Sequence, residues 1–354
     1  MYNFNSINKV QIELSNRCNA SCPQCVRNLY GGATVPTLPL NSWTLSDIKK
    51  IFTKSFIEQL QYIYLCGTYG DPLMCKDIIP ICNYFKKINP KVVIGAHTNG
   101  SLRKKSDYTD LAKIINFMAF GIDGLSDTNH IYRKHTNFSK IIENAKAFIA
   151  AGGYAEWDYI VFRHNQHQVE EARALSETLK FAKFNVKKTS RFLNKKHEYT
   201  ESLDVQDRNG SYQYTIFPPT NKKYLNKQYA NLKNKSLTKY FKDACIKCNA
   251  KKIKEIYIGA EGLVFPCGWL HDRLYGFESE SHNDNKKILQ FMKRVGYSNV
   301  NCFQNSIQEI VDGPWFELLK NSWTNNNRLE RCAMMCGDTI NTIGEQNVNV
   351  SYKD

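Results

Sequence analysis

At 354 residues, with 42% hydrophobic and 23% charged residues, the composition is that of a globular protein and excludes a disordered or collagen-like chain. The length suits one large α/β domain with an appendage. The formal charge is +15, but its lysines, densest at 187–196 and 222–254, are dispersed among Asn, Ile, Tyr and Phe. That pattern reads as compositional bias, and nucleic acid is not the expected partner. No apolar run approaches the ~18 residues of a membrane span. The opening Met1-Tyr2-Asn3-Phe4-Asn5 lacks the marks of a signal peptide. A soluble cytoplasmic protein is expected.

The first half reads as strands and helices in alternation. Residues 10–15 alternate apolar and polar as a strand should. Thr44-Leu45-Ser46-Asp47 resembles a capping box opening a helix to about residue 60. Strands follow at 62–66, 92–97, 117–122, 157–162 and 186–189. Helices lie between them at 77–87, 108–115, 138–151 and 169–181. Six such βα units imply a parallel sheet with helices outside, either an open barrel or a doubly wound sheet. From 194 to about 239 the pattern dissolves into Lys, Asn, Tyr and Ser around Pro218-Pro219, an irregular bridge. A hairpin is predicted at 255–258 and 263–265, turning through Gly259-Ala260-Glu261-Gly262. Ser306-Ile307-Gln308-Glu309 offers a second capping box, and Gly313-Pro314 separates its helix from another at 315–319.

Twelve cysteines in a long chain without an export signal suggest metal ligands more than disulfides. Cys66, Cys75 and Cys82 have no metal-binding spacing and read as buried thiols, as does the isolated Cys302. Cys18-Asn19-Ala20-Ser21-Cys22-Pro23-Gln24-Cys25 follows directly on the first strand. This spacing lets a short loop wrap one iron–sulfur cube, and three thiolates for four irons leave one iron open for a ligand. A structural zinc site would want a fourth ligand close by, and none follows.

This Cys-x3-Cys-x2-Cys loop resembles the signature of the radical S-adenosylmethionine enzymes. The resemblance implies a [4Fe-4S] cluster on Cys18, Cys22 and Cys25 whose open iron chelates S-adenosylmethionine. It also implies reductive cleavage to a 5′-deoxyadenosyl radical that abstracts hydrogen, with electrons from a flavodoxin- or ferredoxin-like protein. Gly70-Asp71-Pro72 ends the second strand where the family carries Gly-Gly-Glu-Pro for the methionine ammonium, with Asp in place of Glu. Asn99 ends the third strand, Asp123 the fourth, Arg133 matches a following family arginine, and Arg163 lies after the fifth strand. All are implied cofactor contacts. Gln24 stands where an aromatic residue usually precedes the third cysteine.

Cys248, thirteen residues, Gly262, four residues and Cys267 resemble the opening of the auxiliary-cluster domains called SPASM and twitch. With only Cys332-x3-Cys336 beyond, the resemblance implies one auxiliary [4Fe-4S] cluster on Cys248, Cys267, Cys332 and Cys336. Cys245 remains an alternative ligand and zinc an alternative metal. The implied fold is a partial (β/α)6 TIM-like barrel over 1–195, a bridge at 196–239, and a smaller α+β SPASM/twitch-like domain over 240–354. The implied reaction is hydrogen abstraction from a small, sugar-like molecule, with oxidation through the auxiliary cluster. No residue is singled out as catalytic acid or base. A peptide-modifying maturase is the alternative enzyme, although only nine residues precede the first strand, where such enzymes commonly carry a leader-peptide-binding domain. A zinc-containing nucleic-acid-binding protein is the alternative from another class.

Overall fold

The structure, a computed structural model, describes residues 3–192, 200–226, 241, 243–275, 283–324, 328–338 and 347–348. Eleven strands lie among them: β1 Lys9–Ile12, β2 Tyr62–Leu65, β3 Val93–Thr98, β4 Phe117–Gly121, β5 Ala155–Val161, β6 Lys183–Lys188, β7 Leu203–Gln206, β8 Tyr212–Ile216, β9 Glu255–Ile258, β10 Val264–Phe265 and β11 Asn347–Val348. The chain divides into two compact units: Met1–Arg17 with Thr37–Ile94 and Lys235–Asn341, and Cys18–Pro36 with Gly95–Asn234 and Thr342–Asp354.

In the first unit β1 pairs in parallel with β2 on one side and with β9 on the other. Val10 and Ile12 are fully buried while Lys9 and Gln11 are half-exposed, the alternation that pins strand register. The hairpin expected at 255–265 forms as β9 and β10, which are antiparallel. Its first strand continues the sheet beside β1, a pairing with no local signal. Trp43, Phe52, Phe56 and Phe85 pack together in the core, with ring centroids 5.5–6.2 Å apart.

The capping box at Thr44 forms: its hydroxyl accepts the Asp47 N–H and the Asp47 carboxylate accepts the Thr44 N–H. The single helix expected up to residue 60 is two, Leu45–Ile51 and Lys54–Gln59. Between them Phe52 is extended, and Thr53 caps the second helix by accepting the Phe56 N–H. A β-branched hydroxyl residue that can bond its own backbone competes with helix continuation.

In the second unit β3, β4, β5 and β6 are parallel neighbours, and β11 adds antiparallel to β6. β5 alternates strictly, with Ala155, Trp157, Tyr159 and Val161 buried. The helix Phe138–Ala150 is capped by Asn137 and buries Ile141, Asn144, Ala145 and Phe148, the three-and-four spacing of one helical face. The stretch read as irregular carries a hairpin of β7 and β8 instead, turning at Asp207–Ser211 around Asn209-Gly210. Asn-Gly between two short runs is a hairpin signal, here masked by the surrounding Tyr, Gln and Thr. The parts of the expected bridge at 196–199 and 227–239 lie outside the described residues. The fold is α/β with mostly parallel strands. No helix among the described residues is long and apolar enough to cross a membrane.

Candidate functional site

The cysteine loop belongs to the second unit. The Cys25 N–H donates to the Cys22 carbonyl at 3.0 Å, the Asn28 N–H to the Cys25 carbonyl at 3.0 Å, and the Ser21 N–H to the Lys134 carbonyl at 3.1 Å. These bonds coil the loop tightly. Cys18 and Cys25 are half-buried and Cys22 is buried. All three pack against an apolar wall of Ala20, Tyr132, Phe162, Phe192, Val205 and Ile216.

Burial pushes the Cys22 thiol up to about 11, against the pull of the Arg133 guanidinium beside it. Arg133 Nη1 donates to Cys22 Sγ at 3.9 Å, and its Nε donates to Asp123 Oδ2 at 2.5 Å. Asp123 is fully buried, and its Oδ1 accepts the Ile160 N–H at 2.6 Å. Burial raises this carboxyl above its ordinary range, and Arg133 opposes the shift. Asn99 Nδ2 donates to Asn19 Oδ1 at 2.8 Å and lies 3.7 Å from Cys18 Sγ. Three of the predicted contacts, Asn99, Asp123 and Arg133, are therefore gathered at the cysteine loop. The Arg163 guanidinium covers the Phe217 ring at 4.2 Å, in a pocket of about 420 Å³ lined also by His130, His164, Tyr214 and Ile216, the last a member of the wall behind the cysteine loop. Gln24 accepts from Thr189 Oγ1 at 2.8 Å, so the residue in the usual aromatic place ties the loop to the end of β6.

In the first unit the Gly70-Asp71-Pro72 motif follows β2. The Asp71 N–H donates to the Arg17 carbonyl at 2.9 Å. Its carboxylate caps the short turn Pro72–Met74 by accepting the Leu73 N–H at 3.0 Å. Sequence reasoning missed the group beneath this loop. Glu13, 1% exposed, accepts the Tyr69 and Gly70 N–H groups on Oε1 at 2.7 Å each and the Tyr257 hydroxyl on Oε2 at 2.8 Å. Burial raises its pKa to about 7 despite the pull of His271. A lone Glu within the strand expected at 10–15 is the only signal the sequence offers.

A carboxyl whose folded pKa exceeds its unfolded one adds stability below the unfolded pKa, and that stability is lost as pH rises through the folded value. Relative to Glu13→Gln, which has no proton to lose, the wild-type protein should lose on the order of 3 kcal/mol between pH 4.5 and pH 8. Urea melts of both proteins across that range check it. Parallel pH profiles for the two would show that Glu13 does not titrate.

The four cysteines predicted to act together also lie in this unit. Cys332 and Cys336 stand one turn apart on the helix Glu330–Cys336. Cys248 and Cys267 precede the short helices Asn249–Lys252 and Gly268–His271. The Lys247 N–H donates to the Cys336 carbonyl at 2.9 Å, fastening the Cys248 segment to the end of the cysteine helix. Asp284 caps the start of that helix, accepting the Glu330 and Arg331 N–H groups at 2.8 and 2.6 Å. Burial raises the Cys267 and Cys332 thiols, and nearby anions raise them further: Cys248, Cys336 and Asp272 for Cys267, and Cys267, Cys248, Asp284 and Cys336 for Cys332. The four are thus mutual neighbours. Cys245 is exposed. Among the described residues no three His, Cys, Asp or Glu side chains are grouped around one metal-ion position. Half-buried thiols brought near one another suit a metal group chemically, since the metal takes the place of the protons.

Residues 12–175 match the Radical SAM superfamily. Among solved structures the chain is similar to Streptococcus suis SuiB bound to S-adenosylmethionine, at 17% identity and TM-score 0.50 over 75% of this chain and 61% of that one. It is similar to SuiB bound to its precursor peptide SuiA, at 16% identity and TM-score 0.52 over 93% and 77%. It is also similar to native anSMEcpe with bound AdoMet, at 13% identity and TM-score 0.57 over 98% and 92%. At these identities the likeness is one of fold. The chain spans 61% of the length of the first of these SuiB chains. No curated protein matches it.

Proposed function

We propose that this chain, which carries a Radical SAM superfamily domain over residues 12–175, is a radical S-adenosylmethionine enzyme with an auxiliary cluster in a SPASM/twitch-type region. The observation that carries the reading is the coiled Cys18–Cys25 loop inside that matched domain, with Asn99 and Arg133 at its sulfurs. Three thiolates of one loop would hold a [4Fe-4S] cluster and leave one iron open. Together the cluster and S-adenosylmethionine supply a reductive cleavage that yields a carbon radical able to take hydrogen from substrate.

The chain's own residues do the positioning. The Arg133 hydrogen bond to Cys22 stabilises sulfur in its anionic form. The apolar wall behind the loop keeps water from that side of it. Asp71 is assigned to the methionine ammonium, a carboxylate–ammonium hydrogen bond. Cys248, Cys267, Cys332 and Cys336 would hold the auxiliary cluster, which when bound would supply an electron acceptor for substrate oxidation. A reductant protein of flavodoxin or ferredoxin type supplies the first electron.

The substrate class we assign is a small, sugar-like molecule. Its support is the second thiol set, which suits a two-electron oxidation of a C–H carbon. The peptide-maturase reading is second and draws on the likeness to the SuiB fold seen with the peptide SuiA. With dithionite, the reconstituted protein should convert S-adenosylmethionine to 5′-deoxyadenosine and methionine slowly, without substrate. Asp71→Ala should weaken cofactor binding about tenfold or more, the scale of a charge-assisted hydrogen bond. Equal affinity in the variant would remove Asp71 from the site. Faster turnover with amino sugars or cyclitols supports the small-molecule class, and faster turnover with peptides alone replaces it.

A further inference from the structure

We infer that Glu13 is a positioning residue for cofactor binding: it moulds the Gly67–Asp71 loop from beneath and ties that loop to β9, the first strand of the hairpin that ends before Cys267. The inference rests on the assignment of Asp71 to the methionine ammonium. A carboxylate 1% exposed is costly unless its lone pairs are taken. Glu13 meets that requirement with three donors at 2.7–2.8 Å, two of them consecutive backbone amides of the loop. Consecutive N–H groups aimed at one oxygen force the chain at Tyr69-Gly70 to turn toward β1, and Asp71 is the next residue.

The packing is as tight as the hydrogen bonding. A Cβ on Gly67 would collide with the Glu13 carboxylate, and a Cβ on Gly70 with the Ser15 carbonyl. The loop therefore runs too close to Glu13 and to the Ser15 backbone to carry a side chain at Gly67 or Gly70. The third donor reaches further. Tyr257, on β9, gives its hydroxyl proton to Glu13 and accepts the Thr68 N–H at 3.3 Å. Ten residues beyond Tyr257 stands Cys267. Thr68 Oγ1 also donates to the Gly268 carbonyl at 3.3 Å, directly after that cysteine. Glu13 is thus the shared anchor of the loop bearing Asp71 and of the segment bearing an auxiliary-cluster cysteine.

The test is a double-mutant cycle on the full reconstituted protein, reading S-adenosylmethionine affinity by equilibrium dialysis without reductant. Amide exchange at residues 68–71 is followed in parallel in protein without the cofactor. Glu13→Ala should weaken binding about as much as Asp71→Ala, roughly tenfold or more, and the double variant should be no weaker than Asp71→Ala alone within about threefold. Glu13→Gln keeps a carbonyl oxygen for the two amides and should bind within about threefold of wild type. It should also retain slow exchange at Tyr69 and Gly70, whereas Glu13→Ala should speed exchange there at least tenfold.

Additive losses in the double variant would overturn the inference, because Glu13 would then act other than through Asp71. A Glu13→Gln protein as weak as Asp71→Ala would also overturn it, and this holds should Glu13→Ala fail to fold. If Asp71→Ala binds normally, the assignment of Asp71 has failed and the inference falls with it. If only Asp71→Ala weakens binding, that assignment stands and the inference alone fails.

Discussion

After anaerobic reconstitution the full chain should hold about eight irons, four at each cysteine set. Replacing Cys18, Cys22 and Cys25 together by Ala should leave roughly half of that iron in a protein that is still brown and can no longer cleave S-adenosylmethionine. The retained iron is the informative part. Its ligands sit on segments with their own fastening: Asp284 at the start of the cysteine helix and Lys247 at its end. Neither of those fastenings draws on the Cys18–Cys25 loop. Cys245→Ser should leave iron content at the wild-type level, since Cys245 is exposed whereas the four assigned cysteines are half-buried. A wild-type content near four irons, or zinc in the second set, would remove the auxiliary cluster from the reading.

The first cysteine set and the alternation of strands and helices were legible because both are local. The Cys-x3-Cys-x2-Cys spacing is read within eight residues, and β5 shows its burial pattern in seven. What the sequence did not disclose is longer in range. β9 lies beside β1 although some 240 residues separate them, and no periodicity announces which strand a hairpin will join. Glu13 was invisible for the same reason. Its role follows from Tyr69, Gly70 and Tyr257, which only the folded chain brings to it. The hairpin of β7 and β8 is a different failure. Its Asn209-Gly210 turn is a strong local signal, but β8 exposes Tyr212 and Gln213, so the inside-outside alternation that marks a strand is weak there. The break at Phe52-Thr53 is also local, since Thr53 caps its own helix, but no Gly or Pro punctuates the chain there.

The pairing of Arg133 with Asp123 makes a second large effect expected. Arg133→Met should destabilise the protein by about 3–5 kcal/mol, the usual cost of leaving a buried charge without its partner. Asp123 is fully buried and its carboxyl is already raised by burial even with Arg133 in place. Without the guanidinium it should rise further, so the carboxyl can escape its unpaired charge by taking a proton. A raised acid pKa gives stability at low pH that is lost as pH climbs through the folded value. The deficit of Arg133→Met should accordingly be smaller near pH 5 than near pH 8. Asp123→Asn combined with Arg133→Met should recover much of the loss, because the pair leaves together. Urea melts of the single and double variants at the two pH values check all three statements. The double variant also separates structure from binding. Arg133 donates to Cys22 as well as to Asp123, so a protein restored in stability would still lack the hydrogen bond to that sulfur. If its iron content and cofactor affinity are restored along with its stability, the pair serves the loop only as scaffold. If stability returns and cofactor affinity does not, Arg133 and Asp123 contribute to the cofactor site itself.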